Sequence, residues 1–356
     1  MTICLPLSVC DPKLIDLLPI EVKRNETAYT FDWFDHGDMY SQQFLDAVID
    51  GLNYIKKLRN TDLTPFEQVA FCHLQKEIED CFDENNVSYP EYTDPRDAVL
   101  DYFAWLFRII APRPRRVTYS ATLQNKMNSL GKYVVLLLEQ YKTLFEVGEN
   151  ANDYLSNNTK DSEGYDYLRY IWHVFHLHLL DSSKTGKKRS GTQLLVAVTL
   201  DDVLFVDVIS HPGRGKSYEY FNLDHLRAIR DSGWFPKIGF MEKTDDELCS
   251  LTYKLEKDED IYTLCKANIN SYIELDSKIY ICPTGVSSSS HPMEAVYTLN
   301  GIKKNIQRYE QQGAQCESVK FASGVNGLLM VVMTVNMPDG NREICDLLTG
   351  MKIYAQ

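Results

Sequence analysis

The spacing of apolar residues changes along the chain and divides it into a helical part and a strand-rich part. Residues 43–59 repeat apolar side chains every three or four positions, which is typical of a helix with one buried face. Another helix is predicted to begin at Thr64, with Pro65 in its first turn and Glu67 at the capping-box position. A third helix follows and must end before Pro112, because proline has no amide hydrogen to donate.

Helical periodicity resumes over residues 122–147 and is lost in the segment that follows. Residues 148–164 are rich in Asn, Asp, Ser and Gly, which is the composition of a connecting loop. We therefore predict a helical domain over residues 1–150 and a second domain over residues 165–356. A length of 356 residues also favours two domains, since single hydrophobic cores stop growing near ~250–300 residues.

Beyond residue 165 the apolar pattern becomes that of strands. Two runs of branched apolar residues joined at Asp201–Asp202 predict an antiparallel hairpin over Leu194–Val208. Further turns are predicted at Asp276–Ser277, Asn326–Gly327 and Pro338–Gly340, and further helices at residues 223–231 and 292–312. The predicted fold class is α+β, with a helical N-terminal region followed by a largely antiparallel α+β region.

The charge balance argues against a protein that coats nucleic acid. The chain carries a net charge of −13, whereas binding to phosphate backbones depends on clustered Lys and Arg. The stretch from Asp161 to Lys237 is the least acidic, since it holds ten basic and ten acidic residues. A local basic site is therefore still compatible with the composition, and this stretch is where we expect it.

Cysteine spacing and hydropathy predict a cytoplasmic protein without a structural metal. The nine cysteines are scattered and form no CxxC pair, so we expect neither a zinc site nor stabilising disulfides. The first twenty residues lack the basic start of a signal peptide, and the longest apolar runs are about half of the ~20 residues that a membrane-spanning helix needs. We expect no membrane association.

Three of the eight histidines lie within six positions, in the stretch WHVFHLHLLD that begins at Trp172. If this stretch is helical, His173 and His176 share a face. If it is extended, His176 and His178 share a face instead, because side chains alternate along a strand. The alternation of Phe, Leu and Leu with the last two histidines favours a helix that ends near His173 and a strand that follows it.

The histidines of this strand fit two chemical interpretations. His176 and His178 resemble half of a zinc or iron site that would need Asp207 or His211 as a further ligand, but no HExxH pattern accompanies them. Acid–base chemistry fits the neighbouring cations better. Metal-independent RNA cleavage needs a base, an acid and cations that stabilise the charged transition state, and His, Lys and Arg supply all three.

The candidate site follows from this second interpretation. His176 or His178 is expected to be the general base and His211 the complementary acid, with no metal and no cofactor. The expected substrate-binding residues are Lys188, Arg189, Arg214 and Lys216. Each of these basic segments is also typical of an ordinary solvated turn.

The layout of residues 165–237 resembles a known family of ribonucleases. The order is His-x-His-Leu, a basic loop ending in RSG, the paired strands LLVAVTLDDVLFVDV, a further histidine and then SGWFP. In outline it resembles the small antiparallel domains of RelE-type bacterial ribonuclease toxins. That resemblance implies a toxin-like core in which histidines and cations at strand ends handle RNA, as a toxin or phage-defence protein.

The rest of the chain lies outside that layout and keeps a second hypothesis open. The helical N-terminal part and the extension after residue 237 do not belong to a minimal toxin domain. Tyr-rich and acidic segments could instead form a protein-binding surface, with structural histidines. The alternative is a non-catalytic interaction subunit of a bacterial defence or secretion assembly. The expected partners are RNA, another protein or a second copy of the chain.

Overall fold

The computed structural model describes residues 2–6, 21–24, 28–32, 63–181, 188–212, 216–243, 261–263, 272–282, 285–287, 291–324 and 328–353. For the three strands before residue 33, and for residues 157, 180, 181, 188–190 and 272, it describes the backbone alone. The helix predicted over residues 43–59 and the turn predicted at Asn326–Gly327 lie outside the described residues.

The described helices and strands follow one another in an α+β order, which confirms the predicted fold class. The helices are α1 (Pro65–Glu84), α2 (Pro95–Arg108), α3 (Ala121–Lys126), α4 (Lys132–Val147), α5 (Tyr167–Trp172), α6 (Leu223–Asp231), α7 (Phe235–Ile238) and α8 (Met293–Glu310). The strands are β1 (Thr2–Pro6), β2 (Glu21–Arg24), β3 (Ala28–Asp32), β4 (Arg116–Tyr119), β5 (Val174–Asp181), β6 (Lys188–Val198), β7 (Asp202–Ser210), β8 (Met241–Lys243), β9 (Tyr272–Leu275), β10 (Lys278–Ile281), β11 (Gln315–Ser323), β12 (Leu329–Asn336) and β13 (Arg342–Asp346).

The chain forms two compact units that are interleaved in sequence. The first unit comprises Met1–Asn60, Ile110–Ser156 and Asp166–Ser290, and the second comprises Thr61–Ile109, Asn157–Tyr165 and His291–Gln356. This division differs from the limits that we predicted at residues 150 and 165. The physical reason is that helices α1 and α2 share a hydrophobic core with strands near the C-terminus, a long-range contact that local periodicity does not reveal.

The described strands form four small sheets. Strands β1, β3 and β2 pair antiparallel in that order, as do β8, β10 and β9, and β11, β12 and β13. The fourth sheet has the order β4-β7-β6-β5. In it Leu194 pairs with Val208 in antiparallel register, which confirms the predicted hairpin. Strand β4 pairs with β7 in parallel, and its four residues are too short to give a sequence signal.

Local capping and turn chemistry explain where several elements begin and end. The Thr64 side chain accepts from the Glu67 backbone N–H, and the Glu67 carboxylate accepts from the Thr64 N–H, so the predicted capping box begins α1. The β9–β10 hairpin turns at Asp276 and Ser277, which both have positive φ, as a tight hairpin turn requires. The helical run predicted over residues 122–147 is broken near Gly131 into α3 and α4.

In the first unit, a hydrophobic core lies on one face of the β4-β7-β6-β5 sheet. Alternate side chains of its strands pack there against α4, and they include Phe175, Leu177, Leu179, Leu194, Val196 and Phe205. Alternate positions of the same strands point to the opposite face, because successive side chains of a strand leave it in opposite directions. The histidines of β5 are on that second face.

In the second unit, α1, α2 and α8 share a core with the β11–β13 meander. Ile302 and Ile306 of α8 and Val331 and Met333 of β12 are completely buried in it. The buried Arg108 at the end of α2 donates to backbone carbonyls of the segment 157–165 and so attaches that segment to the unit.

None of the helices in the described ranges combines the length and the apolar composition that crossing a bilayer requires. The cysteines that the structure describes are free thiols at positions 72, 81, 282, 316 and 345.

Candidate functional site

The local fold around the opening histidines agrees with the helix-then-strand prediction. Helix α5 ends at Trp172, and His173 adopts a left-handed conformation with φ of 58° that turns the chain into β5. Along β5 the apolar side chains lie on the core face described above. His176 and His178 therefore share the opposite face of the sheet, as alternation requires.

Four aromatic side chains form a closed ring on this face, which we call the histidine ring: His176, His178, His211 and Tyr220. The ring centroids are 5.8 Å apart for His176 and His178, and 5.5 Å apart for His178 and His211. Tyr220 closes the circle, 6.4 Å from His211 and 5.0 Å from His176. The three histidines selected from the sequence are thus brought together by the fold, with His176 and His211 at opposite corners.

A buried glutamine joins two members of the histidine ring. Gln193 of β6 pairs with His178 in the strand register and is completely buried. Its amide Nε2 lies 3.3 Å from Nδ1 and 3.4 Å from Nε2 of the His178 imidazole. Its Oε1 accepts a hydrogen bond of 2.7 Å from the Tyr220 hydroxyl. Sequence reasoning missed both Gln193 and Tyr220, although a glutamine within an apolar strand was a visible signal.

His211 is the exposed member of the histidine ring. It follows β7 directly, and its backbone N–H continues the strand ladder with a 2.6 Å hydrogen bond to the Gly191 carbonyl. Its Nδ1 lies 2.6 Å from the Pro212 carbonyl oxygen. A carbonyl oxygen can only accept, so Nδ1 carries a proton and Nε2 of the neutral imidazole keeps its lone pair.

The opposite corner of the histidine ring is more enclosed and faces an acid. The His176 side chain is 14% exposed, and its Nδ1 lies 3.9 Å from Oδ2 of Asp166, the N-cap residue of α5. Burial raises the pKa of Tyr220 to about 12, and the charge of Asp166 adds to this shift. Tyr220 is therefore a neutral hydroxyl at physiological pH.

A second acid–base cluster surrounds Asp207 of β7, the residue that the metal interpretation offers as a further ligand. Its Oδ2 lies 2.6 Å from Nζ of Lys126 and 3.6 Å from Nε2 of His225. Burial raises the pKa of Asp207, but the hydrogen bonds from His225 and Lys126 outweigh it and leave the pKa below its ordinary value. The lowered pKa keeps this carboxylate an anion in the folded unit, beside the Lys126 ammonium.

Of the four predicted substrate-binding cations, Lys216 is the one whose side chain the structure describes. Lys188 and Arg189 belong to β6, where their backbones pair with Asp181 and Leu180, and their side chains are outside the described part of the structure. Arg214 lies outside the described residues altogether. Lys216 is exposed and forms an ion pair of 3.4 Å with Glu219. Lys188 and Arg189 thus lie on the strand that pairs with β5, and Lys216 lies four residues before Tyr220.

The described ranges hold no group of three or more His, Cys, Asp or Glu side chains arranged to bind a metal ion. Within those ranges the members of the histidine ring contact one another through their aromatic rings, and the Gln193 amide joins His178 to Tyr220. Its chemistry is that of neighbouring imidazoles, one of them open to solvent.

Comparison of the chain with protein-family models, curated proteins and solved structures gives no match.

Proposed function

We propose that this protein is a cytoplasmic, metal-independent endoribonuclease of the toxin or phage-defence type, with its catalytic site at the histidine ring. The observation that carries the proposal is the clustering of three imidazoles, of which His211 is exposed and offers a lone pair. Imidazoles exchange protons near neutral pH, so a pair of them can supply both the base and the acid of one reaction.

The hydrogen bonds favour His211 as the general base, which reverses the roles expected from the sequence. Its Nδ1 proton is engaged by the Pro212 carbonyl, so Nε2 is the nitrogen that can take a proton. His211 is also the most exposed histidine of the ring, and His176 is partly exposed. His178 suits this role less well, since its side chain is almost completely buried.

His176 is the corresponding acid in this proposal. The Asp166 carboxylate at 3.9 Å provides the ion-pair partner that a protonated imidazole needs. His211 would remove the proton of the RNA 2′-hydroxyl, whose oxygen then forms a bond to phosphorus. The bond from phosphorus to the 5′-oxygen breaks, and His176 protonates that oxygen. The products are a 2′,3′-cyclic phosphate and a 5′-hydroxyl end.

The charge on the phosphate requires cations close to the histidine ring. Arg189 is the proposed principal contact, because a guanidinium offers paired donors to phosphate oxygens, and Lys188, Arg214 and Lys216 are proposed helpers. The net charge of −13 disfavours long RNA away from the site. We therefore expect binding of a short RNA segment and cleavage that weakens steeply as salt increases.

The proposal is tested by RNA cleavage with purified protein, in the presence and absence of a chelator. We expect wild type to cleave in both conditions and to leave cyclic phosphate ends. His211→Ala and His176→Ala should each lower the cleavage rate at least ~100-fold, since general acid–base catalysis is worth about 10²–10⁴. The matched control is His73→Ala, which removes a histidine from α1 in the second unit.

Three results would overturn the proposal. Loss of cleavage with the chelator would exclude a metal-independent reaction. Equal cleavage by wild type, both ring variants and the control, each confirmed to be folded by circular dichroism, would remove the histidine ring from the mechanism. If wild type cleaves no RNA at all, the alternative of a non-catalytic interaction subunit is preferred.

A further inference from the structure

The sheet of the second unit has β11 and β13 as the edge strands on either side of β12. The outer N–H and C=O groups of an edge strand can pair with a strand of another chain. The chain itself covers the β13 edge. The Asp346 N–H donates to the Met351 carbonyl over 2.9 Å, and the Ile353 N–H donates to the Ile344 carbonyl over 2.7 Å. The edge at β13 is therefore occupied by the residues that follow it.

The other edge is defined by the direction of the backbone groups of β11. Phe321 lies opposite Val331 in the β11–β12 register. The Val331 backbone faces β13, because its carbonyl accepts from the Leu347 N–H and its N–H donates to the Asp346 carboxylate. In an antiparallel pair the backbone groups of opposite residues either face each other or both face away. The Phe321 N–H therefore points away from β12, to the outer edge of β11.

A side chain of α1 takes the place of a partner strand at this N–H. Oε2 of Glu77 accepts from the Phe321 N–H over 3.1 Å. In a longer sheet the acceptor would be a carbonyl oxygen of the next strand. A strand added here would have to displace or cover the carboxylate, and removing a charge from water is unfavourable. Glu77 thus satisfies the N–H and opposes strand addition at the same point.

Two further features of β11 act in the same direction. The strand register shifts between Cys316 and Ser318, and the side chains of Glu317 and Lys320 are charged and exposed. Irregularities and exposed charges are the means by which natural sheets discourage edge-to-edge pairing. We infer that Glu77 closes the β11 edge against strand pairing with a second copy of this chain. The inference concerns the second unit alone and does not depend on the ribonuclease proposal.

A second copy is the partner against which this edge needs protection. Two identical edge strands can pair antiparallel about a twofold axis, so every molecule in solution offers a matching strand. Such pairing would give each outer N–H of β11 a carbonyl acceptor from the other copy. Removal of the Glu77 acceptor should therefore favour association through β11.

Three substitutions separate the acceptor from the charge and from the helix. Glu77→Met keeps most of the side-chain length and removes both acceptor and charge. Glu77→Gln removes the charge but keeps a carbonyl oxygen at the same reach. The matched control is Glu79→Met, which removes a carboxylate from the same helix whose partner is Gln75 of α1 rather than β11.

The first measurement is hydrogen exchange of the Phe321 amide in dilute full-length protein. A hydrogen bond to a charged group contributes about one to two factors of ten to an equilibrium constant. We expect this amide to exchange roughly 10–100 times faster in Glu77→Met than in wild type. Glu77→Gln and Glu79→Met should exchange at about the wild-type rate.

The second measurement follows the same amide as the protein concentration is raised, together with sedimentation velocity. We expect Glu77→Met to associate, and its Phe321 amide to become protected again as a strand of the other copy supplies the acceptor. Loosening of α1 alone would not be reversed by concentration. In wild type, Glu77→Gln and Glu79→Met the exchange of this amide should not depend on concentration.

Several results would overturn the inference. One is a wild-type Phe321 amide that exchanges as fast as in an unstructured peptide. Another is Glu77→Met that sediments like wild type at every concentration, or that associates without renewed protection of Phe321. If methionine prevents folding, Glu77→Asp decides the question, because it keeps the charge but its side chain is one methylene shorter. Unchanged exchange of the Phe321 amide in Glu77→Asp would then contradict the role of Glu77.

Discussion

Replacing Arg108 by methionine should loosen the second unit where it holds the segment 157–165. The Arg108 side chain is 1% exposed, and its guanidinium donates to the carbonyls of Asn158 at 2.6 Å and of Asp161 and Ser162 at 2.8 Å. Methionine keeps most of the volume but none of the donors. The variant therefore isolates the hydrogen bonds from the packing.

The size of the free-energy loss depends on how well water can replace the guanidinium as a hydrogen-bond donor to these carbonyls. A buried acceptor left without a donor costs about 1–3 kcal/mol, and a water-accessible one costs less. Asn158 and Asp161 are exposed residues, whereas Ser162 is 2% exposed, so its carbonyl should account for the largest share. The substitution also removes a buried positive charge and with it the penalty of desolvating that charge, so the net loss is smaller. We expect a loss of roughly 3–4 kcal/mol in the opening free energy of this segment, from these contributions.

Hydrogen exchange with mass spectrometry measures this loss locally, without requiring two-state unfolding of the whole chain. Each 1.4 kcal/mol changes an equilibrium constant tenfold, so amides in residues 157–165 should exchange on the order of 100–1,000 times faster in Arg108→Met. The matched control is Arg342→Met in the same unit, which removes an exposed ion pair with Glu317. Exposed pairs contribute about 0–1 kcal/mol, so the control should change exchange less than ~10-fold.

Equal exchange in the two variants would refute the reasoning. It would mean that the three carbonyls are satisfied by water after the substitution, or that another contact holds the segment. Trp105 is the obvious second anchor, because its Nε1 donates to the Thr159 carbonyl over 2.8 Å. A wild-type protein whose segment 157–165 already exchanges as fast as an unstructured peptide would also contradict the role assigned to Arg108.

The remaining predictions concern two glycine-to-alanine substitutions and the stability of the protein in acid. Gly301→Ala should stabilise α8 by about 0.5–1 kcal/mol, because the added Cβ meets open space. Gly164→Ala should destabilise the protein, because its Cβ would overlap a guanidinium nitrogen of Arg108 and the carbonyl oxygen of Asn158. Thermal unfolding compares the two, and a lower melting temperature for Gly301→Ala would contradict the first expectation. Lys126→Met should reduce stability by about 1 kcal/mol or less near pH 7, because water screens a half-exposed cation beside Asp207. The folded pKa of Asp207 is depressed, so its contribution exists above its ordinary value of 3.8 and is lost as pH falls through the lower folded value. The gap between variant and wild type in urea unfolding should therefore narrow below about pH 4, and a constant gap down to pH 2 would exclude this linkage.

The local elements and half of the histidine ring were determined by the sequence itself. The Thr64 capping box, the α5-to-β5 transition and the Leu194–Val208 pairing depend on interactions between residues close along the chain. Strand alternation then placed His176 and His178 on one face, because its period of two residues is a property of the backbone. The approach of His211 followed from the hairpin that joins its strand to β6.

Only the tertiary structure decided the two-unit division and the completion of the site. Helices α1 and α2 reach their sheet across more than 200 residues, and such packing leaves no periodic mark in either segment. Tyr220 closes the histidine ring from a short turn that no apolar pattern predicts. Gln193 looked like an irregularity in an apolar strand until its two partners were visible. A contact between side chains depends on atoms meeting in space, so the contacts of this amide with His178 and Tyr220 follow only from the joint positions of β5, β6 and the Tyr220 turn.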